Sequence, residues 1–82
     1  MTGEQLTDRL SGMFAAVLEQ PEVGLDDDFF ALGGHSLTAG RLVSQVKRDL
    51  LVRVTLVEFF DDPTVRGLSR LVEQRLGADS PS

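Results

Sequence analysis

The 82-residue sequence has no cysteine, no tryptophan and no tyrosine, and its only histidine is His35. Without cysteine, neither a disulfide nor a thiolate metal site can staple the chain, so packed apolar side chains must hold it together. The missing Trp and Tyr remove the usual stacking surface, and a net charge of -5 removes the basic footprint of a nucleic-acid binder. No apolar run approaches the roughly 20 residues that span a bilayer. The first ten residues are polar and mixed in charge, unlike a signal peptide, and the cytoplasm is the expected compartment. A lone histidine cannot complete a triad with a second one. Asp26-Asp27-Asp28 is not a calcium loop, because Phe30 falls where a further ligand belongs and no later glycine and glutamate are in register, and it reads instead as a solvated acidic loop.

What remains is a chain for one small domain, 41% hydrophobic and 26% charged. Leu6, Leu10, Met13, Phe14, Val17 and Leu18 fall on one helical face. Thr2 and Gln5 form a candidate capping box for this first helix, and Pro21 and Gly24 end its pattern. Residues 20–35 show no sustained period, yet Val23, Leu25, Phe29, Phe30 and Leu32 suit a loop that packs onto the core. A second helix is expected from Ser36 to about Leu50, with Ala39, Leu42, Val43, Val46 and Leu50 as its apolar stripe and Ser36 as a favoured N-cap. Leu51 to Val54 reads as an extended link, since a strand here has no partner. Thr55 and Glu58 form a second capping box, opening a short helix through Leu56, Phe59 and Phe60. Pro63 suits the first position of a last helix, with Asp62 or Thr64 near its cap. Val65, Leu68, Leu71, Val72 and Leu76 mark that helix, and Gly77 stops it. The expected fold is all-α: a small four-helix bundle over residues 1–77, with a long first loop, a short third helix and a disordered tail over 78–82.

Charge is unevenly spread. Residues 1–40 sum to -6, whereas residues 41–82 sum to +1. The second helix is itself basic: residues 37–50 hold Arg41, Lys47 and Arg48 against Asp49.

The informative stretch is Asp27-Asp28-Phe29-Phe30-Ala31-Leu32-Gly33-Gly34-His35-Ser36-Leu37. It resembles the hallmark of peptidyl carrier proteins, the thiolation domains of nonribosomal peptide synthetases: an acidic residue, a Phe pair, Leu-Gly-Gly, a polar residue, then Ser and Leu or Ile. Phe60 to Val65 is similar to the family's entry into its last helix, and the resemblance runs over roughly residues 6 to 76, far beyond a lone glycine pattern. Two departures stand out. The family often has Gly near Leu51 and Pro near Thr55, so a stiffer or shifted link and a different start to the short helix are expected.

The resemblance implies that Ser36 carries a 4'-phosphopantetheine arm transferred from coenzyme A, with Gly34, His35 and Leu37 flanking the attachment point. The arm's thiol would hold an aminoacyl, peptidyl or related acyl group as a thioester. The chain would then be a carrier and not an enzyme, a monomer serving a phosphopantetheinyl transferase and adenylation, condensation, tailoring or thioesterase partners. Docking is expected through Leu37, Thr38, Arg41 and Val57. Phe29, Phe30 and Leu32 would anchor the loop, Gly33 and Gly34 would leave room for the transferase, and the phosphodiester would lie near the positive end of the second helix. His35 before Ser36, and the basic second helix, favour the peptide-synthetase type over fatty-acid and polyketide carriers. That second type stays open as an alternative, as does an unmodified helical interaction module in which Ser36 only caps a helix. A nucleophile elbow is excluded, because Gly34 to Thr38 lacks the second glycine. The start at Met1 and the end soon after the last helix fit a free-standing carrier or a piece of a larger synthetase.

Overall fold

The apolar stripes of the three longer helices turn inward, although Leu76 at the end of the last one stays exposed. The computed structural model describes residues 3–78, which form α1 (Gly3–Leu18), α2 (Ser36–Leu50), α3 (Leu56–Asp61) and α4 (Val65–Ala78), with no strand among the described residues. In α1, Leu6, Leu10, Met13 and Phe14 are buried while Gly12 faces outward. The helix packs against α4 and α2, and α3 leans on α2. The Thr2–Gln5 capping box reaches outside the described residues. The end of α1 differs from expectation: the stop comes before Pro21. Glu19 turns left-handed at φ 56° and the Gln20 N–H reaches back to the Ala15 carbonyl at 3.0 Å. This is a Schellman closure, which satisfies the last free carbonyls without needing proline.

The long loop is held down at several points. Ser11 Oγ donates to the Val23 carbonyl at 2.6 Å. The Phe29 N–H donates to the Pro63 carbonyl at 2.8 Å, and the Arg66 N–H donates to the Leu25 carbonyl at 3.0 Å. Arg66 also grips Asp26 with two nitrogens, at 2.7 and 3.2 Å. A fork-on-carboxylate pair of this kind fixes orientation more than it adds energy, since both groups are well exposed. Of the expected anchors, Val23 and Phe29 are buried and Leu32 is half-buried, whereas Leu25 and Phe30 remain more than a third exposed.

All five phenylalanines join one cluster. Phe29 meets Phe14 edge-on at 5.5 Å and Phe59 at 5.2 Å, and Phe30 covers Phe60 at 5.4 Å. Edge-to-face pairs at these separations add to the burial of large apolar surface. The loop is therefore packed between α1 and α3.

After α2, Leu51 takes the left-handed conformation at φ 58°, ψ 33°, while its side chain is 83% exposed. Here the chain makes the turn a glycine would make, with a residue whose Cβ opposes it. The link beyond is extended as expected: Val52 and Val54 are buried, while Leu51, Arg53 and Thr55 face out. The missing proline does not shift the start of α3. Its Thr55 cap forms as expected, with the Glu58 N–H donating to Thr55 Oγ1 at 3.2 Å and the Thr55 N–H donating to Glu58 Oε1 at 3.0 Å. Glu58 also pairs with Arg75 of α4, which donates from its other nitrogen to the Arg53 carbonyl at 2.7 Å.

Two expectations for α4 need correction. Pro63 is not the first helical residue. Its carbonyl serves the Phe29 N–H, while Thr64, one of the two expected cap residues, caps the helix by accepting from the Gly67 N–H at 3.0 Å. Nor does Gly77 stop the helix, which carries on to Ala78. Residues 79–82 of the expected tail lie outside the described residues.

Replacing Leu51 by glycine should relieve the left-handed strain and raise stability by about 0.5–1 kcal/mol, a rise of several degrees in Tm. A thermal melt with an unchanged or lower midpoint would refute it. The Arg75 guanidinium, and next the Thr55 N–H, pull the Glu58 carboxyl down to about 2. A carboxyl depressed in the fold contributes stability that is whole above its ordinary value of 4.5 and lost as pH falls toward about 2. Acid unfolding of Glu58→Gln should therefore differ from wild type near neutrality and converge with it across that window. A constant gap would show that the ion pair contributes nothing.

Candidate functional site

The site is built where the loop runs into α2. Residues 28–34 fold into a knot of tight turns. Asp28 Oδ2 accepts from the Ala31 N–H at 2.9 Å, and the N–H groups of Leu32 and Gly34 donate to the carbonyls of Asp28 and Phe29 at 3.1 and 3.0 Å. Asp27 makes a similar tie to the Gly24 N–H at 2.8 Å. Asp27 and Asp28 are thus local braces and Asp26 is paired with the distant Arg66, so the triplet is not a merely solvated run.

The two glycines have different tasks, and one corrects the expectation that both leave room for an incoming enzyme. A Cβ on Gly34 would lie 2.3 Å from the Phe29 ring, so the room at this position is already filled from inside by that ring. Gly33 has φ +100° and faces open space. One glycine admits the anchor and the other makes the turn.

The start of α2 carries a second correction. Ser36 is not the N-cap but the first helical residue, and His35 holds the cap position in an extended conformation at φ -148°. His35 accepts the Ala39 N–H on its carbonyl at 2.8 Å, and its own N–H donates to Thr38 Oγ1 at 2.9 Å. The Thr38 hydroxyl in turn donates to the His35 carbonyl at 2.8 Å. With cap duties taken by its neighbours, the exposed Ser36 hydroxyl joins none of the hydrogen bonds of the described residues. Its backbone, by contrast, is fixed by the helix behind it and the turn knot before it.

The result is a primary hydroxyl in water on a rigid support, beside the free N–H groups of a helix start, where an attached anion is favoured. Such a group suits modification by another enzyme. His35 is exposed, and no cluster of histidine and carboxylates able to hold a metal occurs among the described residues.

Around this point, Leu37 stands 64% exposed, Thr38 is half-buried and Arg41 is exposed. Ser36, Leu37 and Arg41 share an open groove on the outer face of α2 with Gly40, Ser44 and Arg48. Gly40 and Ser44 escaped the sequence reading, which counted Arg48 only for its charge, although spacings of four, eight and twelve residues from Ser36 place all three on its face. Val57 is not part of this groove; it projects from α3, 80% exposed.

A phosphopantetheine attachment site model matches residues 8–72. The dimodular nonribosomal peptide synthase of Bacillus subtilis strain 168 is 47% identical over 60 residues, which is 73% of this chain and 2% of that protein. The chain spans only 1–3% of the length of the first few synthetases it matches. Among solved structures, the complex of the phosphopantetheine transferase Sfp with coenzyme A and a peptidyl carrier protein contains a chain that superposes with a TM-score of 0.83. The two are 33% identical, over 85% of this chain and 91% of that one. The solution structure of PCP, a prototype for the peptidyl carrier domains of modular peptide synthetases, gives a TM-score of 0.76 at 34% identity, over 83% of this chain and 90% of that one. The helical bundle, the presented serine and these likenesses agree: the chain belongs to the phosphopantetheine attachment family, as a peptidyl carrier, or thiolation, domain of the nonribosomal peptide synthetase type.

Proposed function

We propose that Ser36 is the attachment point of the 4'-phosphopantetheine group within a carrier unit of residues 1–77. The observation that carries this reading is the exposed, uncommitted hydroxyl on a backbone held from both sides. When attached, the group supplies a terminal thiol that holds an aminoacyl, peptidyl or related acyl cargo as a thioester. The chain's own residues do the presenting. Phe29 seats the loop, Gly33 and Gly34 shape the turn, and His35 and Thr38 free the serine from capping. The start of α2 favours the anionic phosphodiester.

The chain performs no bond chemistry of its own; it supplies position and effective concentration to others. It acts as a monomer in the cytoplasm, and none of its described helices is long and apolar enough to cross a membrane. Its partners are a phosphopantetheinyl transferase and the adenylation, condensation, tailoring or thioesterase enzymes of a synthetase. The face they meet comprises Leu37, Thr38 and Arg41 of α2 with Val57 of α3, and Leu37 and Val57 offer apolar side chains to solvent at no gain to the fold.

Incubation of the apo protein with coenzyme A and a broad-specificity phosphopantetheinyl transferase should add the mass of one phosphopantetheinyl group, and Ser36→Ala should abolish the addition. A folded wild-type chain that stays unmodified beside a modified control carrier would overturn the assignment. Leu37→Asp should leave Tm unchanged and lower kcat/KM for loading about tenfold, the loss of one well-placed apolar contact at about 1.4 kcal/mol. Loading at the wild-type rate would take Leu37 out of the interface.

A further inference from the structure

The shortest helix bears one of the most exposed apolar side chains, and it is held through its two phenylalanines, its cap and one ion pair. Helix α3 has six residues, far below the length at which a helix sustains itself in water. Phe59 is its only buried residue, with Leu56 and Phe60 more than a third exposed. Val57 and Phe59 are separated by about 200° around the helix axis, so Val57 points away from that one buried anchor. A roll about Phe59 would swing Val57 across the surface. Phe60 resists part of the roll through its ring contact with Phe30 at 5.4 Å, and Glu58, which lies between Val57 and Phe59, resists the rest.

One carboxylate gathers this corner of the molecule. Glu58 Oε1 accepts from the Thr55 N–H and from Thr55 Oγ1, each at 3.0 Å, and Oε2 accepts from Arg75 Nη2. Arg75 Nη1 donates to the Arg53 carbonyl at 2.7 Å. The link before α3, the cap of α3 and the body of α4 are thereby tied through two side chains. Both are about one-third exposed, less than the Asp26–Arg66 pair. Fixed geometry and partial burial are the conditions under which an ion pair orients an element.

We propose that Glu58 and Arg75 are positioning residues: their clasp sets the pose of α3, and through Val57 it sets how well partner enzymes recognise the carrier. Neither residue touches the partner in this scheme. The inference rests on the reading of Val57 as a partner contact, and it adds residues outside the presented face to the determinants of recognition.

The test measures phosphopantetheinyl transferase kinetics with coenzyme A, with the carrier as the varied substrate, alongside amide hydrogen exchange of α3. Arg75→Met and Glu58→Gln should each raise KM for the carrier about three- to tenfold with kcat within about twofold, because pose and not chemistry is lost. Arg75→Lys should fall between wild type and Arg75→Met. The amides of Phe59 to Asp62 should exchange about tenfold faster in Arg75→Met, while those of α1 stay protected. In a Val57→Asp background, Arg75→Met should add less than about twofold to KM, since both act through one contact. Unchanged exchange in α3 would overturn the clasp. Faster exchange with KM unchanged, or fully additive effects with Val57→Asp, would overturn its role in recognition. A wild-type chain that takes up no phosphopantetheine would instead overturn the assignment of Ser36, with hydrogen exchange still deciding whether the clasp exists.

Discussion

The placement of the Phe29 ring is the constraint on which the presented serine depends. The ring is wholly buried, meets Phe14 and Phe59 edge-on, and occupies the space a side chain at Gly34 would need. Core packing and chain direction are thus settled by one contact. The backbone passes directly over the ring, turns at Gly33 and Gly34, and enters α2 two residues later. Interiors are packed too densely to let such a ring drift, so the loop inherits the rigidity of the core although most of it lies at the surface.

Helix α4 contributes nothing to the face around Ser36, yet it supports both elements that frame that face. Arg66 grips Asp26 of the loop, and Arg75 grips Glu58 of α3. The two arginines are nine residues apart, which puts them on opposite sides of the helix, one reaching toward each neighbour. The negative front half of the chain and its mildly basic back half meet in the first of these ties.

The helices were legible in the sequence because a period of 3.6 is written by burial, and burial chose Leu6, Leu10, Leu42, Val46, Leu68 and Val72 alike. The Thr55–Glu58 cap was legible because its partners are local. Misreadings came where a distant group decided the outcome. Pro63 looks like a helix opener until the Phe29 N–H claims its carbonyl. The triplet Asp26 to Asp28 looks like a solvated run, since its pairing with Arg66 spans forty residues. Gly34 reads as space for a visitor because nothing nearby in sequence shows that Phe29 fills it. At the site, the identity of the serine was readable and its freedom was not. That freedom depends on which of two adjacent residues takes the cap.

The cap at His35 has a thermodynamic consequence. A serine that capped its helix would contribute its hydroxyl to folding, and esterifying that oxygen would unmake part of the fold. Here the hydroxyl enters none of the hydrogen bonds of the described residues, so esterifying it would break no hydrogen bond of the fold. By linkage, a modification that breaks no contact of the fold is not opposed by folding. What remains is the favourable field of the helix start, so an ester at this oxygen would be tolerated by the fold rather than resisted by it.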